Sequence, residues 1–299
     1  MPVDAASGPT PPGERVDVRK TYKLFIGGAF PRSESGRVYA VTAPDGTLLA
    51  HAAQASRKDL RDAVRAARAA MPGWSRATAY NRGQVLYRVG ELLEGRREQF
   101  AAEVAAAEGV STDDARAQVD AAVDRLVWYA GWSDKYAQVA GATNPVSGPY
   151  FSFTLPEPTG VVGVLAPQES SLLGLISVLA PVLATGNTAV VVTSQARPLP
   201  AISLAEVLAT SDLPGGVVNL LSGRTEELAP WLAGHRDVNA LDLTGAEPAA
   251  RPDLQRAAAD SVVRVFVPRT DDAQWERDPG TERLSAFVET KTVWHPIGV

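Results

Sequence analysis

The 299-residue chain contains no cysteine. That single count excludes disulfides, thiolate metal sites and a cysteine nucleophile. Histidine is almost as scarce: His51, His235 and His295 stand far apart and without clustered carboxylates, so no metal site is expected. Basic runs are missing, and 34 acidic against 29 basic side chains leave a net charge of -5. That balance argues against nucleic acid or an anionic membrane as the main partner. Long apolar runs are missing as well. The longest, Leu172 to Ala184, is interrupted by Gly174, Ser177 and Pro181 and is too short to span a bilayer. The opening MPVDAASGPTPPGERVDVRK lacks a signal-type apolar segment, and its Pro, Gly and Ser content predicts a flexible tail over residues 1–20. With 45% hydrophobic and 21% charged residues, an ordinary cytoplasmic globular protein is expected.

From Gly160 onward the chain alternates. The Val/Leu runs VVGVLA, TAVVVTS, GVVNLLSG, NALDLTG and VVRVFVP are separated by helical patterns beginning near Leu172, Leu199, Glu226 and Asp253. Such alternation predicts a parallel sheet covered on both faces. The expected fold class is α/β: a Rossmann-like open parallel five-stranded sheet, although the GxGxxG fingerprint is absent. Ahead of it, residues 22–54 read as short strands with a hairpin signal at Asp45-Gly46. Three helical stripes follow, on Leu60, Val64 and Ala67, on Val85, Val89, Leu92 and Leu93, and on Val119, Val123, Leu126 and Val127. The last begins at a capping-box-like Ser111 to Asp114.

The remaining pieces are peripheral. Residues 141–157 break the helical pattern and predict a hairpin arm that belongs to the 21–268 domain but lies outside its main body, with Tyr150 to Thr154 as an aromatic strand. Residues 269–283 are polar and aperiodic, which reads as a linker. In residues 284–299, Phe287, Glu289, Lys291 and Val293 alternate with Val288, Thr290, Thr292 and Trp294, a strand pattern. A lone strand is not stable, so this one is expected to join a sheet edge, the 150–154 strand first of all.

Four runs carry a family resemblance: Glu157-Pro158-Thr159-Gly160-Val161-Val162-Gly163, Ala180-Pro181-Val182-Leu183-Ala184-Thr185-Gly186-Asn187-Thr188, Leu213-Pro214-Gly215-Gly216-Val217-Val218-Asn219, and Leu243-Thr244-Gly245. In order and spacing, over residues 22–267, the chain resembles the aldehyde dehydrogenase superfamily. The resemblance implies a thiolate nucleophile, an asparagine donor to the oxyanion, and a lysine-proline-serine-glutamate segment gripping the adenosine ribose of NAD(P). Here there is no thiol, Glu169 stands at the asparagine position, and the ribose segment reads Val192-Thr193-Ser194-Gln195. An ionised carboxylate has no proton to donate and repels a developing oxyanion. The serine that meets pyrophosphate in the family is Ala246, and a 15-residue stretch replaces the family's catalytic domain.

The resemblance therefore implies a scaffold without its chemistry. The expected role is a catalytically inactive assembly or regulatory subunit for a full-length aldehyde dehydrogenase, or self-association through edge strands. Tyr150, Phe151, Phe153, Phe287, Val288, Thr290, Val293 and Trp294 are the candidate interface residues. Cofactor binding is expected to be absent or weak, through vestigial Thr193, Ser194, Gln195, Gly223, Thr244 and Gly245. Two alternatives stand beside it: a nucleotide-binding module using those same loops, and altered serine chemistry using Ser170, Ser171 or Ser194 with Glu169 and His295.

Overall fold

A computed structural model describes residues 20–269 and 274–298. The expected tail (residues 1–19 of it) and residues 270–273 of the expected linker lie outside the described residues. The first sheet joins β1 (Thr21–Tyr22), β2 (Val38–Thr42) and β3 (Leu48–Ala53), in the order β1-β3-β2. Helices α1 (Arg57–Arg76), α2 (Ala79–Glu94), α3 (Arg97–Glu108), α4 (Thr112–Trp132) and α5 (Tyr136–Ala140) follow. Their starts are chemically marked. Ser56 and Asp59 form a full capping box on α1, Thr78 caps α2, and Ser111 accepts from the Asp114 N–H to start α4. Gly109 ends α3 at φ 69, a left-handed conformation that glycine adopts without Cβ strain.

Next comes a hairpin, β4 (Ala142–Asn144) and β5 (Tyr150–Pro158), and then the body: β6 (Val161–Leu165), α6 (Leu173–Ala184), β7 (Thr188–Val192), α7 (Leu199–Leu208), β8 (Val218–Leu221), α8 (Thr225–Ala233), β9 (Ala240–Asp242), α9 (Arg251–Ala259) and β10 (Arg264–Phe266). The chain closes with α10 (Glu282–Ala286) and β11 (Val288–Pro296). The body is a five-stranded sheet in the order β10-β9-β6-β7-β8, with every pairing parallel. All five residues of β6 and of β7 are buried, as the Val-rich runs require when helices cover both faces. Alternate residues serve opposite cores. Ala189 and Val191 pack with the layer of α2, α3, α4, α6 and α7, while Val190 and Val192 pack with α1, α8 and α9.

Leu60, Val64 and Ala67 all face the core as their period predicts. On α4 the burial is rotated from the expected stripe: Val127 is 42% exposed, whereas Arg125, two residues earlier, is only 8% exposed. The C-terminal segment covers α4 on that side and gives the guanidinium acceptors. β11 pairs antiparallel with β5 along its whole length, Val288 opposite Pro158 through Pro296 opposite Tyr150, giving a peripheral sheet in the order β11-β5-β4. The cis pairing expected of the terminal strand is present.

Candidate functional site

The strand order reverses about β6, whose neighbours β7 and β9 lead away in opposite directions. Ligands of open α/β sheets bind outside the carboxyl ends of the strands at such a point. A crevice of about 560 Å³ lies there, lined by the turn after β6 (Pro167, Gln168, Glu169), the loop after β9 (Thr244, Gly245, Ala246), and Arg251 and Trp275. Glu169, Thr244 and Gly245 are thus brought together. The Glu169 side chain is 87% exposed and lies 2.8 Å from the Arg197 guanidinium. A carboxylate in its ionised form has acceptors only. Gly245 is required by close approach: a Cβ there would lie 1.8 Å from the Ala166 carbonyl oxygen.

Thr193, Ser194, Gln195 and Gly223, where β7 and β8 end, do not line that crevice. Val192, beside them, is fully buried in the core. Gln195 stitches three turns: its N–H donates to Gln168 Oε1 (3.0 Å), and its own Oε1 accepts from the N–H of Thr225 at the start of α8 (3.1 Å). Ser194 Oγ donates to the Gln168 carbonyl (2.9 Å), and Thr193 N–H donates to the Leu221 carbonyl (3.0 Å). Helix N-termini of this kind favour anions because their first N–H groups lack intrahelical partners. Here the protein supplies the acceptors itself. At α6, Gly174 N–H meets Ser170 Oγ at 2.8 Å, and Ser171 N–H meets the Glu108 carboxylate at 2.7 Å. After β9, Thr244 N–H meets Asp242 Oδ1 at 2.8 Å, and Gly245 N–H meets the Leu165 carbonyl at 2.8 Å.

These bonds also account for the serines. Ser170 and Ser194 cap turns, Ser171 holds Glu108, and His295 lies in β11 opposite Phe151. Among the described residues no hydrogen bond joins these serines, Glu169 and His295 as nucleophile, base and orienting acid.

Sequence reasoning missed a second set of residues. The expected linker is docked where described. Arg125 donates through Nη1 to Ser177 Oγ (3.1 Å) and through Nη2 to the carbonyls of Trp275 (2.5 Å) and Arg277 (2.8 Å). Arg283 pairs with the fully buried Asp242 at 2.8 Å and lies over the rings of Phe266 and Trp275. Burial pushes the Tyr129 phenol up to about 12, and desolvation holds the Arg125 guanidinium below its ordinary range. The hydrogen bonds of Arg125 and Arg283 named here span 41 to 152 positions in sequence, so no local pattern announces them.

The peripheral sheet carries most of the candidate interface residues, but not on one face. Residues directly opposite in a ladder share a face. Phe151, Phe153 and Leu155 therefore stand with His295, Val293 and Lys291, and Tyr150, Ser152 and Thr154 with Pro296, Trp294 and Thr292. Tyr150 (42% exposed), Phe151 (46%) and Trp294 (57%) face solvent. Phe287 departs from the expected alternation. It ends α10, its side chain is fully buried, and its carbonyl accepts from Asn187 Nδ2 at 2.8 Å. Val288 is also buried, at 9% exposure, so these two belong to the core rather than to a free surface.

The comparisons agree with this architecture. HpcC from Thermus thermophilus superposes with a TM-score of 0.78 at 33% identity, covering 82% of this chain and 47% of that one. An aldehyde dehydrogenase from Bacillus cereus, solved as its NAD+ complex, superposes at 0.77 with 28% identity, covering 82% and 50%. Mouse cytosolic 10-formyltetrahydrofolate dehydrogenase is 32% identical over 260 residues, 84% of this chain and 28% of that protein. The mitochondrial aldehyde dehydrogenase family 2 member B4 of Arabidopsis thaliana is 34% identical over 240 residues, 79% and 44%. The chain thus spans half or less of the length of the relatives it matches. Among the described residues no helix is long and apolar enough to cross a membrane, and no group of His, Cys, Asp and Glu has metal-binding geometry. With residues 30–267 matching the family's sequence pattern on a fold of this likeness, the chain belongs to the aldehyde dehydrogenase family.

Proposed function

We propose that the chain is a non-catalytic member of its family that assembles with a full-length aldehyde dehydrogenase through its peripheral sheet. The carrying observation is the contrast within one molecule. The position of the oxyanion donor holds an exposed glutamate paired with Arg197, while the β5–β11 ribbon keeps nine paired residues and exposed aromatics. An aldehyde carbonyl needs a nucleophile and a donor for its oxyanion. The chain has no thiol, and Glu169 repels that charge. The sheet-end donors a dinucleotide phosphate needs are spent on Gln195, Glu108, Ser170 and Asp242. NAD(P) affinity is accordingly weak or absent.

The ribbon is suited to pairing. β11 is an edge strand, and an edge strand accepts another strand through its outward backbone groups. Aromatics on both faces give an added strand apolar area above and below the ladder. The test is co-expression with a full-length homologue, followed by size exclusion and native mass spectrometry. A mixed complex is expected. A lone monomer that leaves the homologue's assembly and activity unchanged overturns the reading, as does aldehyde oxidation by the isolated chain.

A further inference from the structure

Apart from the crevice, the C-terminal segment roofs a cavity of about 200 Å³ lined by Arg125, Tyr129, Ser177, Trp275, Asp278 and Arg283, with neighbouring turns of residues 274–282 closing the rest. Charged side chains are almost never buried unless paired, because desolvating an ion is costly. Arg283 obeys this rule through Asp242. Arg125 has no bonded counter-ion: its three hydrogen bonds go to a hydroxyl and two carbonyls, all neutral, and the Asp278 carboxylate that lines the same cavity acts on it through charge alone, without a hydrogen bond. A guanidinium has five N–H donors, so two remain. Beside it, the Tyr129 hydroxyl has no hydrogen-bond partner among the described residues.

We propose that this cavity binds a short-chain monocarboxylate, with its carboxylate on Arg125 and the Tyr129 hydroxyl and its apolar tail against the Trp275 ring. The charge balance favours an anion. Arg125, Arg277 and Arg283 oppose Asp278 and Glu282 around the cavity, one positive charge in excess, and Glu282 is already paired with Arg269 at 3.0 Å. Adding Arg269 and the Asp242 that pairs with Arg283 leaves the same single excess. Size sets the ligand class. At about 30 Å³ of liquid volume per water, the cavity has room for a ligand of about six heavy atoms, a four-carbon acid rather than a nucleotide. The proposal does not depend on the assembly reading: a chain that never meets a partner still has the cavity.

Butyrate, butanol and butylammonium share a tail and differ in charge, so titrating each into the whole chain by calorimetry isolates the carboxylate. Butyrate is expected to saturate one site by about 10 mM, with butanol and butylammonium giving none. It should also quench fluorescence in the wild type but not in Trp275→Phe. Arg125→Met is expected to weaken butyrate at least tenfold, and Tyr129→Phe to weaken it severalfold. No saturable butyrate binding overturns the proposal, as do equal binding of butanol and undiminished affinity in a folded Arg125→Met. Competition by equimolar chloride does so too, since it would report a general anion atmosphere. Should Arg125→Met fail to fold, the selectivity of the wild-type chain among the three ligands decides alone.

Discussion

The five-stranded body and the three-stranded ribbon are both sheets, yet they are built to opposite specifications. In the body every residue of β6, β7 and β8 is buried; in the ribbon one residue of β5 and one of β11 are. Covered on both faces, the body contributes stability through apolar burial at roughly 25 cal/mol per Å². The ribbon leaves aromatic area in water and gains little from it within this chain. The lesson is that aromatic content alone does not mark a core: Phe151 and Phe287 sit in similar apolar contexts in sequence, and only one is buried.

The sharpest way to break the body is through its buried ion pair. Arg283→Met leaves the Asp242 carboxyl group fully buried, with Thr244 as its remaining partner among the described residues, and is expected to cost about 3–5 kcal/mol in urea unfolding. A loss below about 1 kcal/mol would mean that Thr244 suffices. Asn187→Ala comes next. Its amide accepts from Gly160 N–H at 2.7 Å and donates to the Phe287 carbonyl at 2.8 Å, joining the body to the C-terminal segment. Two buried groups left unpaired predict a loss of about 2–4 kcal/mol.

A pH experiment sharpens the same contrast. The unfolded Tyr129 phenol ionises near 10, while burial holds the folded one protonated up to about 12. A raised folded value means that the neutral form is preferred in the native state. Its stability is full below pH 10 and is lost as pH rises from 10 to 12. Tyr129→Phe is expected to lose about 2 kcal/mol less than wild type across that window, measured by denaturant midpoints. Equal slopes would place the alkaline sensitivity elsewhere. The smallest effect on stability belongs to the ribbon. Phe151→Thr with Trp294→Thr should change unfolding by about 1 kcal/mol or less yet abolish co-purification with a full-length homologue. A large loss of stability, or intact co-purification, would erase the distinction between the two sheets.

Legibility followed the range of the interactions. The strands of the body were readable because each is a contiguous Val/Leu run, and the cap at Ser111 because a cap is chemistry over three residues. The position of Glu169 at the sheet end was readable from its place after a strand. Arg125 was not, because within α4 it looks like an ordinary exposed arginine, and its partners Ser177, Trp275 and Arg277 lie 52, 150 and 152 positions away. Phe287 misled for the opposite reason: it continues the alternation of β11 but ends α10, where the Asn187 amide takes its carbonyl. Glu108 gave no sign of its role at the start of α6, since nothing near it in the chain mentions Ser171.

The pairing of β5 with β11 has a consequence for biosynthesis. Glu157 meets Lys291 across 134 positions, so the long edge of β5 stays bare while the whole parallel sheet emerges from the ribosome and folds. During that interval the nascent chain displays Phe151 and Phe153 beside open backbone groups, the situation in which strand exchange between neighbouring polypeptides is fastest and chaperone protection matters most. Ribosomes translating one message in file would bring such half-finished ribbons close together, and synthesis of β11 is the step that removes the hazard.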